Sequence, residues 1–260
     1  MTRLKKKEYK GYLIDLDGTM YNGQAKINEA EDFIERLRKT EKPFLFLTNN
    51  STAQPLTVCK NLKERSNVHA YPEEIYTSTE VTIQYLEKMN MQRVYLIGDF
   101  GLREALRTAG FKIVNSNVDA VVVGYDDKVT FEEFKEATLL IQGGASFIGT
   151  NPDTNIPTEE GLIPGNGALL AFLEASTGVK AQIMGKPEAM MMESALTKLG
   201  LEKEEVLMVG DNYTTDIQAG IQNEIDTLLV LTGFTSKEDL ATLPEPATYV
   251  INTLDEWDVD

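Results

Sequence analysis

Residues 11–19 read GYLIDLDGT. An apolar run ends in a carboxylate at Asp15, a second carboxylate follows at Asp17, and Gly18 and Thr19 close the stretch. A short apolar run bounded by a turn signal predicts a buried strand. The same kind of run recurs as FLFLT (44–48), IYTS (75–78), RVYLIG (93–98), AVVVG (120–124), SFIGT (146–150), VLMVG (206–210) and TLLVL (227–231). Amphipathic helical stretches lie between most of them. In INEAEDFIERLRKT (27–40), Ala30, Phe33, Ile34 and Leu37 share one face, and Asn28 and Glu31 have the spacing of a capping box. Strands that are apolar throughout and alternate with helices predict an α/β fold, with a parallel sheet covered on both faces.

The chain has 260 residues, enough for one large domain or two small ones, and 42% of them are hydrophobic. With 25 Lys and Arg against 41 Asp and Glu, its formal charge is −16. That charge repels nucleic acid and anionic membrane surfaces, so neither is an expected partner. An anionic substrate would require local positive charge. Cys59 is the only cysteine, which excludes an intrachain disulfide. The basic start is followed by an apolar stretch that Asp15 interrupts, too short for a signal peptide or a membrane span. The expectation is a soluble, cytoplasmic protein.

Three of the apolar runs end in specific polar residues: Asp15, Thr48 followed by Asn49 and Asn50, and Asp211. In an open parallel sheet, ligands bind outside the carboxyl ends of the strands. A further element, GKPE, offers Lys186 just before a helix. Converging carboxylates need a cation among them, and oxygen ligands without nearby His or Cys favour Mg2+. Such a site suits phosphoryl transfer, in which positioning and charge stabilisation do most of the work. Asp15 is then the expected nucleophile and a metal ligand. Asp17 is the expected acid and base, with its carbonyl also able to reach the metal. Gly18 permits the close turn, and Thr19 hydrogen-bonds a neighbour. Thr48, Asn49 and Lys186 are the right donor types for phosphoryl oxygens.

The motifs DLDGT, LTNN, GKP and GDNYTTD, in that order, resemble the four motifs of the haloacid dehalogenase superfamily of phosphohydrolases. PTEEGLIPGNGALLAFLEASTG and TDIQAGIQ are similar to its NagD-like, or p-nitrophenyl-phosphatase-like, subgroup. The resemblance implies a Rossmann-like core, residues 1–79 with 181–260, and an α/β cap, 80–180, inserted between the second and third motifs. It implies Asp15 as nucleophile, Asp17 as acid and base, Thr48 and Asn49 as phosphate-binding, and Lys186 as neutralising phosphate and nucleophile. It further implies Asp211 as a metal ligand and Asp216 as a group that orients metal waters or Lys186. A small phosphorylated metabolite is the implied substrate, and a cap-mediated homodimer is compatible with the pattern.

Taken singly, these residues have plainer readings: a solvated strand edge, an Asn turn, a surface lysine, a helix-capping aspartate. Four motifs in order outweigh them. His69 stands in no motif and is expected at the surface, and Met190–Met192 read as helix core. GDFG (98–101) and PGNG (164–167) read as turns before helices. The Gly-, Pro- and Asn-rich stretch 149–167 reads as a long working loop, in which Asn151 and Asp153 are weaker candidates for substrate contact than for an ordinary Pro-Asp turn. Two alternatives stand beside a Mg2+-dependent phosphatase: a phosphoacceptor, and a catalytically weak phosphometabolite-binding protein.

Overall fold

The computed structural model describes residues 7–158 and 160–259. Arg3, Lys5 and Lys6, in the basic start read above, fall outside them. The chain divides into two compact units, one of Met1–Leu47, Leu56–Tyr76 and Met192–Asp260, the other of Thr48–Pro55 and Thr77–Met191. The first unit is built on a six-stranded sheet. Across the sheet, its strands are Tyr249–Ile251, Asp226–Val230, Val206–Gly210, Gly11–Asp15, Phe44–Thr48 and Ile75–Thr77. The pairings from Tyr249–Ile251 through Phe44–Thr48 are parallel. In chain order the strands run sixth, fifth, fourth, first, second, third, so the order reverses between Gly11–Asp15 and Val206–Gly210. Ile14 pairs with Val209 there, and Asp15 pairs with Leu47 on its other side.

Burial explains the strand pattern: Leu13, Ile14, Phe46, Leu47 and Val206–Val209 are all fully buried or nearly so. The first helix, Glu29–Lys39, buries the four residues expected of it, and Phe33 meets the Tyr12 ring edge-on. Arg36 ties this helix to the chain's end by donating to the Leu254 carbonyl at 2.9 Å and to that of Trp257. The expected capping box does not form. Asn28 already has helical backbone angles (φ −65°, ψ −32°), whereas a capping side chain works from an extended backbone. Glu31 instead accepts from Lys26 and Asn67. The same device does form at Thr77 with Glu80 and at Thr130 with Glu133.

The second unit carries a parallel sheet of five strands in the order Gln182–Ile183, Ser146–Gly149, Ala120–Val123, Arg93–Ile97 and Lys112–Ile113. Its core joins Tyr95, Ile97, Val121, Val123 and Phe147 to Ala137 and Ile141 of helix Phe131–Gln142 and to Leu170 and Leu173 of helix Asn166–Thr177. The long stretch read as a loop contains an antiparallel hairpin, Asn155–Thr158 with Gly161–Pro164. These strands are four residues each, too short for alternation to announce them. Of the three methionines read as helix core, Met191 and Met192 are buried and Met190 is half-buried. Among the described residues, no helix is long and apolar enough to cross a membrane.

One side chain ties the start of a second-unit strand. The Asp119 carboxylate accepts the backbone N–H groups of Gln92 and Arg93, both at 2.8 Å, and these bonds hold its pKa below the ordinary aspartate value. A depressed folded pKa contributes stability that is present above the unfolded pKa and lost as pH falls through the folded one. Asp119→Asn is therefore expected to cost about 1 kcal/mol at pH 7. In urea denaturation followed across pH, the gap from wild type should hold down to about pH 5 and shrink below about pH 4. A gap that does not vary with pH would refute this account.

Candidate active site

In the first unit, Asp15 is the last residue of its strand and Asp211 directly follows Val206–Gly210, so both stand at the carboxyl ends of the two strands where the order reverses. Adjacent crossovers leave opposite faces of the sheet at such a point, and a space remains that loops do not fill. Asp15, Asp211 and Asp216 each bring one carboxylate oxygen within 4.8 Å of the others. Asp211 and Asp216 are buried, at 2% and 1% exposure. Asp211 is held on both oxygens: the Thr19 hydroxyl donates to Oδ1 at 3.1 Å and the Phe234 N–H to Oδ2 at 2.6 Å. The neighbour that Thr19 bonds is thus Asp211.

Asp216 lies in a π-helical turn, Tyr213–Ile217, that runs into the helix Gln218–Gln222. Its carboxylate accepts from the Asn212 N–H at 3.0 Å and the Thr215 hydroxyl at 3.3 Å. Gly210 makes room for it, since a Cβ there would lie 2.3 Å from that of Asp216. Asp216 therefore offers an oxygen to the same cluster as Asp15 and Asp211. Three carboxylates, with no imidazole or thiolate among them, form a donor set suited to a hard divalent cation.

Asp17 stands past the strand end and is exposed. The turn around it is tight: Gly18 donates to the Tyr21 carbonyl at 2.6 Å, and Gly18 itself has φ +90°. The Gly23 N–H donates to Asp17 Oδ1 at 3.2 Å. Desolvation by the surrounding protein raises the Asp17 pKa above the ordinary aspartate value, against the opposing pull of the Gly23 N–H and the Arg65 guanidinium. A carboxyl shifted this way keeps its proton to higher pH, as a general acid requires.

The other expected residues belong to the second unit. Thr48 Oγ1 accepts from the Asn50 N–H at 3.1 Å. Lys186 is 1% exposed, and the Asn49 side chain grips its main chain on both sides. The Lys186 N–H donates to Asn49 Oδ1 at 2.8 Å, and Asn49 Nδ2 donates to the Lys186 carbonyl at 3.0 Å. Asn49 Nδ2 also donates to Asp153 Oδ1 at 3.1 Å. The side-chain amide of Asn49 is thus committed to the lysine segment. Asn151 and Asp153 form the turn of the plainer reading: Asn151 Oδ1 accepts the Asp153 N–H at 3.2 Å, and Asn151 Nδ2 donates to the Asn49 carbonyl at 2.8 Å. The turn GDFG is closed by its own residue, because Asp99 Oδ1 accepts the Leu102 N–H at 3.1 Å.

Sequence reasoning missed the loop after Asp226–Val230. Thr232 donates to the Gly18 carbonyl at 2.6 Å, Phe234 holds Asp211 by its main chain, and Gly233 packs against both. This loop also follows a buried strand at its carboxyl end, but Leu231-Thr232-Gly233-Phe234 carries no charge to draw attention. Only the strand's position was a usable signal.

The haloacid dehalogenase-like hydrolase family matches residues 12–112, and an HAD-hydrolase-like family matches residues 183–257. The 5'-nucleotidase YutF of Bacillus subtilis is 47% identical over 252 residues, covering 96% of this chain and 98% of its own. An acid sugar phosphatase of Staphylococcus epidermidis is 46% identical over 250 residues, covering 95% and 96%. The solved structure of NagD from E. coli K-12 superposes with a TM-score of 0.91 at 30% identity, covering 98% of this chain and all of that one.

The close packing around Asp211 gives a direct test. A Cβ on Gly233 would lie 2.0 Å from Asp211 Oδ2 and 2.7 Å from the Gly18 Cα. Gly233→Ala is expected to lower stability by about 1–3 kcal/mol, the usual cost of overpacking. Gly23→Ala is the control: its φ is +57° but nothing lies within 4 Å of the added carbon, so only backbone strain of about 1 kcal/mol is expected. Urea denaturation of the two variants should rank them in that order, and the reverse ranking would contradict the packing described.

Proposed function

The chain belongs to the haloacid dehalogenase-like hydrolases, in their NagD-like branch, and is a phosphoric monoester hydrolase; within that class, we propose that it is a cytoplasmic, Mg2+-dependent phosphatase of small metabolites that works through an aspartyl-phosphate on Asp15. The observation that carries this reading is the cluster of Asp15, Asp211 and Asp216 at the point where strand order reverses, with Asp211 pinned by Thr19 and Phe234. Mg2+ would be held by Asp15, Asp211, Asp216 and the Asp17 carbonyl. When bound, it supplies positive charge that offsets the carboxylates and the phosphoryl group.

The chemistry is then a double displacement. An Asp15 carboxylate oxygen attacks phosphorus, the ester P–O bond breaks, and Asp17 gives its proton to the departing alcohol. The Asp17 carboxylate next takes a proton from water as that water attacks phosphorus, the acyl phosphate bond breaks, and phosphate leaves with Asp15 restored. Lys186 supplies positive charge to the phosphoryl oxygens, and the Thr48 hydroxyl with the main chain of Asn49 supplies hydrogen bonds. The inserted region 80–180 is assigned the choice of substrate, with the core formed from 1–79 and 181–260.

The names of the relatives point to nucleotides in one case and sugar phosphates in another, and the proposed substrates are drawn from those two classes. Phosphate release from p-nitrophenyl phosphate is expected with Mg2+ and not with EDTA. Asp15→Asn should reduce the rate by about three orders of magnitude or more, and Asp17→Asn by about 10²–10⁴-fold. A rate unchanged in Asp15→Asn would dispose of the aspartyl-phosphate. A panel of sugar phosphates and nucleoside monophosphates, compared by kcat/KM, then identifies the preferred class.

A further inference from the structure

The second unit holds a buried series of asparagines whose side chains the chemistry above does not use. It starts at Asn166, which is 1% exposed and donates through Nδ2 to the Asn151 carbonyl at 2.8 Å. Asn151, 5% exposed, donates through its own Nδ2 to the Asn49 carbonyl at 2.8 Å. Asn49 in turn binds both main-chain groups of Lys186. Side chains therefore take the place of a strand ladder at the Asn49 carbonyl, which receives Asn151 and the Ser78 hydroxyl, both at 2.8 Å. The packing is tight as well: a Cβ on Gly185 would lie 2.5 Å from Asn49 Oδ1 and 2.9 Å from the Thr150 carbonyl. This accounts for the glycine immediately before the lysine.

We propose that Asn151 is a positioning residue, setting the place of Lys186 through the side chain of Asn49. The proposal rests on the role given above to Lys186. A lysine ammonium sits at the end of four methylenes, so its location depends on how firmly its main chain is fixed. Both polar groups of the Lys186 main chain are bonded by the Asn49 amide, which belongs to a residue whose carbonyl Asn151 holds. Losing the Asn151 donor removes one of the two donors that the Asn49 carbonyl has among the described residues and removes the acceptor of the Asp153 N–H, while Asp153 also accepts from the Asn49 amide. Both supports of Asn49 loosen together. Displacement of a charged group by about 1 Å is enough to cost one to two orders of magnitude in rate.

The test is a double-mutant cycle read as hydrolysis of p-nitrophenyl phosphate with Mg2+. Asn151→Ala is expected to reduce kcat/KM about tenfold when Lys186 is present and less than twofold in the Lys186→Met background. An equal reduction in both backgrounds means that Asn151 acts through the fold or the Asn49 main chain and not through Lys186, and overturns the proposal. If Lys186→Met alone leaves the rate unchanged, the role of Lys186 is wrong and the proposal falls with it, a result distinct from additivity. Thermal melting checks each variant. Should Asn151→Ala not fold, Asn151→Ser, too short to reach the Asn49 carbonyl, replaces it in the same cycle with the same expected non-additivity.

Discussion

Three carboxylate oxygens within 4.8 Å of one another set the terms for the rest of the first unit. At that separation and an effective dielectric of about 20, each pair of full charges repels by roughly 3–4 kcal/mol. No local sequence preference would assemble such a group. It is imposed by strand order: Asp15 and Asp211 end neighbouring parallel strands whose connections leave the sheet in opposite directions. The surrounding loops then offset the repulsion with donors, Thr19 and Phe234 on Asp211 and Asn212 and Thr215 on Asp216. Hydrogen bonds to charged groups are worth about 1.5–3 kcal/mol each, so these four offset much of the repulsion. A divalent cation among the three oxygens would offset it further.

Backbone space is the second requirement. Gly18, Gly210 and Gly233 all stand where a side chain would strike Asp211 or Asp216. Their absence of a Cβ lets a strand end and two loops crowd around two buried carboxylates. In the second unit, the same economy appears at Gly185, which lets Asn49 reach the Lys186 main chain. A buried, fully donated asparagine specifies a single arrangement because any shift leaves main-chain groups unsatisfied in a medium of low dielectric.

Much of this was legible beforehand, for identifiable reasons. Strands such as VLMVG were visible because strands buried on both faces are apolar throughout. Asp15, Asp211 and Lys186 stood out because charge immediately beside buried segments is costly unless it has a use. Other features left no trace. Phe234 acts through its N–H, which every residue except proline possesses. The hairpin at 155–164 is too short and too rich in Pro and Gly to show a period of two. The spacing of Asn28 and Glu31 predicts a capping box, but Lys26 and Asn67 compete for Glu31 from outside the helix.

The amino-acid sequence by itself determined the alternation of strand and helix, the four polar stations and the family, because these depend on residue type and order along the chain. Only the tertiary structure decided that Asp216 joins the carboxylate cluster, that Asn49 spends its amide on Lys186, and that Asn151 stands behind Asn49. The physical reason is direction. A hydrogen bond requires two groups to meet at about 3 Å along a suitable angle, and partners 102 and 137 residues apart in the chain acquire that geometry only when the strands and loops between them are in place.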